Sequence, residues 1–248
     1  MAQQRQLKAV VLAAGQGKRL RSEEAELPKV LRLANGRALL DYVLEAIDFI
    51  DPQDTLIVVG YRRDQVMERY PEYGFAVQEQ QLGTGHAVMS ALDVLGDYEG
   101  DLLVCCGDMP LLKRETYLEL WRNHLGEDGA VTILSGDTGE KLSYGRIVRG
   151  EDGGFLKIVE DRDCTEEERT ITELNSGVYL FRAPELRRAA ALLGRSNEQN
   201  EYYLTDTPEL MLGMGESVAV CKLPLGTELL GVNTQEQLDE VERLLSAT

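Results

Sequence analysis

The stretch VVLAAGQGKRL, residues 10–20, joins an apolar run to two glycines and two cations. Residues 9–14 carry no charge and include β-branched valines, which is typical of a strand buried on both faces of a parallel sheet. The two glycines that follow lack a Cβ and so let a ligand approach the backbone N–H groups, while Lys18 and Arg19 add positive charge. The stretch predicts a strand followed by a loop that binds an anion such as a phosphate. A tight strand-to-helix turn with solvated cations is the alternative interpretation.

The composition of the chain narrows the class of protein. The 248 residues hold 26 Lys and Arg against 43 Asp and Glu, a formal net charge of −17. This charge opposes nonspecific binding to nucleic acid or to anionic membranes, so an anionic ligand has to be held locally. No apolar run approaches the roughly 18 residues of a membrane span, and residues 1–6 lack the apolar core of a signal peptide. We therefore expect a cytoplasmic protein that binds neither nucleic acid nor membrane.

Cysteine and histidine usage limits the metal chemistry. The four cysteines, Cys105, Cys106, Cys164 and Cys221, form no C-x-x-C pair, so we expect reduced packing residues. The chain has only two histidines, too few for a multi-histidine metal site. A bound metal would then have oxygen ligands, which favours Mg²⁺.

Short β-rich runs alternate with longer helical patterns, which is typical of βαβ units wound around a parallel sheet. The patterns predict strands at 8–13, 55–60, 75–78, 101–106, 129–135, 144–149, 155–160, 171–181 and 217–223. They predict helices at 38–50, 62–70, 84–95, 115–125, 184–193, 205–213 and 234–246. The strands past residue 140 are punctuated by glycine, and we expect them to form a subdomain laid against the main sheet.

The glycine loop matches neither of two common phosphate loops. A dinucleotide fingerprint needs a third glycine where Leu20 stands. A P-loop needs a glycine at Leu12 and a hydroxyl at Arg19. What remains is a glycine loop, a charged insertion at 22–26 and a Pro28–Lys29 pair that can return a second cation to the same phosphates.

Further motifs follow in a fixed order along the chain: QLGTGHA at 81–87, GD at 107–108, YGRI at 144–147, ELNSG at 173–177 and EYYLTD at 201–206. With these motifs the chain resembles, over nearly its whole length, the nucleotidyltransferase domain of bacterial N-acetylglucosamine-1-phosphate uridyltransferases. The glycine loop and the GD pair alone would indicate only some sugar-phosphate nucleotidyltransferase. The ordered combination of the other motifs is the more specific signal.

The resemblance implies an α/β fold with a Rossmann-like, mostly parallel mixed sheet flanked by helices, of the nucleotide-diphospho-sugar transferase type. It implies a small β-rich sugar-binding subdomain within a single domain over 1–248. The nucleotide-binding part is expected at about 1–135, the sugar-binding part at about 136–233 and a C-terminal helix at 234–248. The bifunctional enzymes of the family continue into an acetyltransferase β-helix, so we expect that second activity to be absent here. The sequence does not predict an oligomeric state.

The reaction implied by the resemblance is transfer of a uridylyl group from UTP to N-acetylglucosamine 1-phosphate, with Mg²⁺ as the cofactor. The products are UDP-N-acetylglucosamine and pyrophosphate. Because the attacking phosphate oxygen is already an anion, no general base is required, which agrees with the scarcity of histidine. UTP and N-acetylglucosamine 1-phosphate are therefore the expected partners.

The resemblance also assigns roles to individual residues. It places Arg19 and Lys29 at the triphosphate as catalytic residues, and Asp108 and Asn233 on Mg²⁺. The expected nucleotide-binding residues are Leu12, Ala13, Ala14, Gly15, Gly17, Lys29, Gln78, Gln81, Gly83 and Thr84. The expected sugar-binding residues are Gly145, Glu160, Asn175 and Thr205. A side-chain amide such as that of Gln78 can pair with the edge of uracil in two places.

Some residues depart from the family pattern or have a structural alternative. Lys18 stands where family members usually have threonine, and the acidic residues at 23–26 are more numerous than is common, which bears on phosphate binding. Cys106 supplies neither a ring nor an amide beside the substrate. Thr84 could instead cap a helix, and Glu160 could be an exposed carboxylate at a strand end.

Two other functions stay open at this point. The first is a nucleotidyltransferase for another pair, such as dTTP with glucose 1-phosphate, because uracil and thymine share their pairing edge. The second is a non-catalytic nucleotide-sugar sensor, which would require the loss of a polar site residue, yet all four expected ones, at 19, 29, 108 and 233, are present. A nucleic-acid-binding module is disfavoured by the negative charge.

Overall fold

The computed structural model describes residues 6–17, 20, 26–138 and 142–247. Its strands are β1 (Leu7–Leu12), β2 (Leu33–Ala34), β3 (Arg37–Ala38), β4 (Thr55–Val59), β5 (Gly74–Val77), β6 (Asp101–Cys106), β7 (Val131–Gly136), β8 (Arg146–Arg149), β9 (Phe155–Val159), β10 (Leu174–Arg182) and β11 (Val218–Leu223). Its helices are α1 (Leu39–Ala46), α2 (Arg63–Arg69), α3 (Thr84–Leu95), α4 (Arg114–Glu127), α5 (Ala183–Ala190), α6 (Thr207–Gly213) and α7 (Gln235–Ser246). Short 3₁₀ turns lie at Lys29–Leu31, Pro52–Asp54, Glu168–Thr170, Leu204–Asp206 and Gly226–Leu229.

A nine-stranded sheet runs through the described part of the chain in the order β11-β7-β10-β6-β1-β4-β5, with β8 beside β10 and β9 beside β8. β1 is parallel to both β4 and β6, β4 is parallel to β5, and β7 is parallel to β11. β10 runs antiparallel to both of its main neighbours, β6 and β7. The predicted mostly parallel mixed sheet is therefore confirmed.

The two faces of the sheet bury separate apolar layers. Val11 and Leu103 contribute to one layer, which also contains the buried faces of α1, α4 and α7. Val10 and Val104 contribute to the other, together with α3, α5 and α6. Because successive residues of a strand point to opposite faces, both faces of β1 and β6 must be apolar, which is why the sequence shows continuous apolar runs there.

The reversed direction of β10 decides where the second half of the chain contributes to the site. The beginning of β10 lies at the edge where parallel β6 and β7 end, since Leu174 pairs with Gly136 and Tyr179 with Val104. The ladder with β7 shifts register between Asn175 and Tyr179. β10 continues through the main sheet, so the expected β-rich part is continuous with that sheet and extends from it through β8 and β9.

The predicted helix over 38–50 was too long, and a small hairpin before it was missed. β2 and β3 pair antiparallel around Asn35 and Gly36, both of which have positive φ, as a type I′ hairpin turn requires. The helix then covers only Leu39–Ala46. The Asn-Gly pair was the available signal for this hairpin.

The strand predicted over 171–181 begins only at Leu174. Ile171 directly follows a 3₁₀ turn, and the side chain of Glu173 accepts a hydrogen bond from Ser135 of β7.

Cys105, Cys164 and Cys221 are buried, and the cysteines are free. No helix in the described part of the chain combines the length and apolar character needed to cross a membrane.

A buried carboxylate ties β8 to the main sheet. Arg149 of β8 donates two hydrogen bonds to Glu173, over 2.8 Å from Nε and 2.7 Å from Nη2, and the Ser135 hydroxyl of β7 donates a third over 2.7 Å. Burial alone would raise the pKa of Glu173, but the hydrogen bonds from Arg149 and Ser135 outweigh it and hold the pKa below its usual value. One charged group, directly before β10, therefore links β7 and β8.

We expect Arg149→Met to lower the free energy of unfolding by about 2 kcal/mol, because it leaves Glu173 charged and under-bonded. Since the pKa of Glu173 is lowered in the folded protein, the stabilisation is present at neutral pH and is lost as the pH falls below the ordinary value of 4.5. Urea denaturation at several pH values measures both effects. Arg122→Met is the matched control: the Arg122 side chain is 66 % exposed beside Glu119, so it should cost less than about 0.5 kcal/mol. Equal losses in the two variants would contradict the role of Arg149.

Candidate active site

The glycine loop leaves the sheet at the carboxyl end of β1. Ala13 N–H donates to the Val58 carbonyl over 2.9 Å, and Gly107 N–H donates to the Leu12 carbonyl over 3.0 Å, so the strand ends are bonded up to the loop. Gly17 has a φ of +66°, a left-handed conformation that favours glycine. Lys18 and the catalytic candidate Arg19 lie outside the described residues, as do residues 21–25, so the role of Arg19 stays a prediction.

A cavity of about 540 Å³ opens beside this loop, within the size range of small-ligand sites. All ten residues that the sequence predicts to bind the nucleotide line it: Leu12, Ala13, Ala14, Gly15, Gly17, Lys29, Gln78, Gln81, Gly83 and Thr84. The sequence analysis missed several further lining residues, among them Gln16, Val30, Ala87 and Glu201. The structure thus brings the nucleotide candidates together around one cavity.

The loop before α3 is clamped by a distant segment of the chain. Tyr202 N–H donates to the Leu82 carbonyl over 2.8 Å, and Gly85 N–H donates to the Tyr202 carbonyl over 2.8 Å. Gly83 has a φ of +108°, and a Cβ there would lie 2.5 Å from the Tyr202 carbonyl oxygen. Thr84 Oγ1 accepts the Leu204 N–H over 3.1 Å, so the hydroxyl bonds this same distant segment rather than capping α3. We call the contacts of Tyr202 and Leu204 with the loop the Tyr202 clamp.

Three polar residues from distant parts of the chain meet beside this cavity, which Lys29 and Asp108 line. Lys29 Nζ forms an ion pair with Asp108 and donates to Asn233 Oδ1 over 3.0 Å. The side chains of Lys29 and Asp108 are only 14 % and 16 % exposed, so their charges interact with little screening by water. The carboxylate and the amide oxygen therefore converge on one cation.

Backbone and capping bonds hold the two oxygen donors in place. The Asp108 carbonyl accepts the Val232 N–H over 2.9 Å, which ties the end of β6 to the start of α7. Thr234 caps α7 by accepting from the Gln237 N–H, and Gln237 Oε1 in turn accepts the Asn233 N–H over 2.7 Å. This capping box orients the residue that carries the amide.

A second cavity lies next to the first and contains every predicted sugar-binding residue: Gly145, Glu160, Asn175 and Thr205. Leu12, Thr84, Cys106 and Asp108 line both cavities, so the two meet at the edge of β1 and β6. Tyr144 and Gly231 also line the second cavity, and the Gly231 N–H donates to the Tyr144 hydroxyl over 2.8 Å. The sequence analysis did not predict that contact, which joins residues 87 positions apart.

Glu160 is a half-buried acceptor rather than an exposed carboxylate. Its Oε1 accepts the Thr205 hydroxyl over 2.9 Å. Burial raises the pKa of Glu160, with the nearby acids Asp206 and Asp163 adding to it, while the bond from Thr205 acts in the opposite direction. Burial and the charges of Glu209 and Asp163 likewise raise the pKa of Asp206 to about 6. Acids therefore surround this end of the cavity, and Glu160 offers its carboxylate as an acceptor to hydroxyl groups.

The Asn175 side chain is held on both sides. Its Nδ2 donates to the Tyr179 hydroxyl over 2.7 Å, and its Oδ1 accepts the Gly177 N–H over 3.3 Å. Its backbone N–H donates to the Gly145 carbonyl over 2.8 Å. At Gly145 a Cβ would lie 2.8 Å from Ile158 Cγ2, so the close approach of these segments requires glycine. The amide is thus pre-oriented in the wall of the cavity.

Comparison with known proteins places the chain in a family. The model of the MobA-like NTP transferase domain matches residues 9–200. The bifunctional protein GlmU of Thermoanaerobacter pseudethanolicus is 40 % identical over 240 residues, covering 96 % of this chain and 51 % of that protein. GlmU of Thermobifida fusca is 42 % identical over 255 residues, covering 100 % of this chain and 52 % of that protein. The chain therefore spans about half the length of these curated relatives.

A solved structure supports the fold. A putative glucose-1-phosphate thymidylyltransferase from Bacillus anthracis superposes with a TM-score of 0.72 at 17 % identity, covering 96 % of this chain and 95 % of the other. A structural match at 17 % sequence identity supports only a shared fold. The family match spans most of the chain, and GlmU proteins align with nearly all of it: the chain belongs to the MobA-like NTP transferase family.

Proposed function

We propose that this nucleotidyltransferase transfers the uridylyl group of UTP to N-acetylglucosamine 1-phosphate, giving UDP-N-acetylglucosamine and pyrophosphate. The observation that carries the proposal is the meeting of the two cavities beside Asp108, one lined by the glycine loop and the other by Glu160 and Asn175. A nucleotide in the first and a sugar phosphate in the second would bring their phosphates together there. The identity to GlmU proteins supports this choice of substrates.

The reaction needs positioning and charge neutralisation rather than proton transfer. An oxygen of the sugar 1-phosphate attacks the α-phosphorus of UTP and forms a new P–O bond. The bond from the α-phosphorus to the bridging oxygen of the β-phosphate breaks, and pyrophosphate leaves with the electron pair. Positioning both phosphates in line and neutralising their charge account for most of the catalysis in such a displacement. The backbone N–H groups of Gly15 to Gly17 are the expected donors to the triphosphate.

The oxygen atoms at 108 and 233 fit a divalent cation. Asp108 and Asn233 Oδ1 already converge on one positive group, the Lys29 ammonium, which stands in for such a cation. One carboxylate and one amide leave the remaining ligand positions to phosphate oxygens and water, as Mg²⁺ prefers. When bound, Mg²⁺ would neutralise charge on the transferring phosphate. Lys29 would then turn to the triphosphate, because both cations cannot occupy the same pair of oxygens.

The proposal predicts that UTP with N-acetylglucosamine 1-phosphate gives the highest kcat/KM in a pyrophosphate-release assay. The assay uses a grid of UTP, dTTP and CTP against N-acetylglucosamine 1-phosphate, glucosamine 1-phosphate and glucose 1-phosphate. Preference for dTTP with glucose 1-phosphate would favour the thymidylyltransferase alternative. Tight binding of UDP-N-acetylglucosamine without turnover of any pair would favour the sensor.

The stand-in role of Lys29 predicts opposite effects of two substitutions on metal binding. In the nucleotide-free protein Lys29→Met should bind Mn²⁺ about tenfold more tightly, because it removes a cation that competes for Asp108, an effect of about 1.4 kcal/mol. Asp108→Ala should bind Mn²⁺ far more weakly. Electron paramagnetic resonance of free Mn²⁺ measures both without turnover. If Lys29→Met weakens binding or leaves it unchanged, Lys29 does not compete with the metal.

The sugar cavity predicts a selective change in KM. Asn175→Ala should raise KM for N-acetylglucosamine 1-phosphate about tenfold, because a sugar hydroxyl loses a buried partner, while KM for UTP changes little. Steady-state kinetics with each substrate varied in turn measures the two constants.

Tyr179→Phe is the matched control for this substitution. It removes the hydroxyl that holds the Asn175 amide but keeps the amide itself, so its effect on KM for the sugar phosphate should be smaller. If Asn175→Ala raises KM for UTP and leaves KM for N-acetylglucosamine 1-phosphate unchanged, the two cavities have exchanged roles.

A further inference from the structure

The orientation of the Gln78 amide is set by the protein. Gln78 is 4 % exposed and directly follows β5, where its N–H donates to the Val59 carbonyl over 2.8 Å. Its side-chain Nε2 lies 2.9 Å from the Gly83 carbonyl oxygen. A carbonyl oxygen only accepts hydrogen bonds, so the NH₂ end of the amide must face Gly83. The opposite orientation would place two acceptors against each other.

His86 engages the second proton of the same amide. Its Nδ1 lies 3.2 Å from Gln78 Nε2. Nδ1 accepts from this amide in the tautomer that holds the ring proton on Nε2, the tautomer that matches an NH₂ group facing the ring. With one amide proton on Gly83 and the other on His86, Gln78 has only its Oε1 left for a ligand in the cavity that it lines. Gln78 can therefore make one hydrogen bond to uracil, as an acceptor, instead of the two that its residue type allows.

The His86 ring is held by Tyr202, the residue that also bonds the loop before α3. His86 lies in the first turn of α3 and stacks on Tyr202, with ring centroids 6.2 Å apart and an interplanar angle of 25°. The Tyr202 backbone bonds both Leu82 and Gly85, on either side of Gly83. The segment that orders the loop therefore also positions the ring that engages Gln78.

We propose that His86 is a positioning residue that selects the base: by engaging the second amide proton, it makes Gln78 an acceptor only. Uracil and thymine present an N–H donor at ring position 3 and satisfy that acceptor. Cytosine presents a lone pair at the same position, so two acceptors would meet in a buried site and each would lack a partner. The inference deepens the proposed function and rests on its assignment of the nucleotide cavity.

Equilibrium binding of UTP and CTP tests the inference without turnover. Titration calorimetry in magnesium-containing buffer, with no sugar phosphate present, gives the ratio of the two Kd values for each variant. The wild-type protein should prefer UTP. In His86→Leu the second amide proton has no protein partner, so cytosine can bind with its N3 toward that proton instead of toward Oε1, and the preference should fall about tenfold, with tighter CTP binding as part of the change.

Two polar variants separate the hydrogen bond from packing. His86→Asn keeps an acceptor at the δ position, the same number of bonds from the backbone as Nδ1, and should retain the wild-type preference. His86→Gln moves the acceptor one bond farther out and should behave like His86→Leu. His86→Gln also replaces His86→Leu in the comparison if thermal unfolding shows that the leucine variant does not fold.

Each outcome decides between the inference and its alternatives. The inference is overturned if His86→Leu and His86→Gln keep the wild-type ratio, or if His86→Asn loses the preference as fully as His86→Leu. Equal binding of UTP and CTP by the wild-type protein overturns it as well, while leaving UTP binding intact. If the wild-type protein binds neither nucleotide, the proposed function itself fails.

Discussion

The parallel pairing of β1 with β6, in which Leu12 lies opposite Cys106, is the constraint on which the site depends. Parallel strands end at the same edge, so this register places the glycine loop directly beside the Gly107–Asp108 pair. The Gly107 N–H donates to the Leu12 carbonyl, and a Cβ at Gly107 would lie 3.1 Å from Val30 Cγ1. The glycine loop and the Asp108 carboxylate are thus neighbours because two apolar strands share one register.

The antiparallel strand β10 adds the second cavity to that edge. Had β10 run parallel to β6, its first residues would lie at the opposite edge of the sheet, far from the loop. Its reversed direction brings Asn175 next to the end of β6, and the irregularity after Asn175 includes Gly177, whose φ is +77°. A Cβ at Gly177 would lie 3.5 Å from the Cys106 sulfur, between the two cavities. The mixed topology is therefore what places the second cavity beside the first.

Most polar side chains of the site are bonded to protein groups, and those bonds limit what each can offer a ligand. Gln78 has its NH₂ group engaged, Thr84 accepts from the chain, and Glu160 accepts from Thr205. Pre-orientation of this kind lowers the entropy lost on binding and makes the match of donors to acceptors stringent. The acidic surroundings of Glu160 belong to the second cavity, whereas the Lys29 ammonium lies in the first, beside the glycine loop.

Local patterns in the sequence determined the secondary structure and much of the list of site residues. Apolar runs without charge predicted the buried strands, and the resemblance carried by the ordered motifs supplied the residues that line the two cavities. These features were readable because a strand buried on both faces must be apolar along its length, and a close approach of backbone or ligand requires glycine at particular points. The Asn35–Gly36 hairpin was equally local and could have been predicted.

Only the tertiary structure decided which protein groups these residues contact. The Lys29–Asn233 bond joins residues 204 positions apart, and the Tyr202 clamp on the loop before α3 spans more than 100. His86 stood inside a quoted motif, yet its role depends on a 3.2 Å contact to an amide whose orientation is set by a backbone carbonyl. The residue type determines how many hydrogen bonds a side chain can make, whereas the fold determines which of those bonds are already made to protein groups. That difference separates a list of candidate residues from a site with a defined chemical preference.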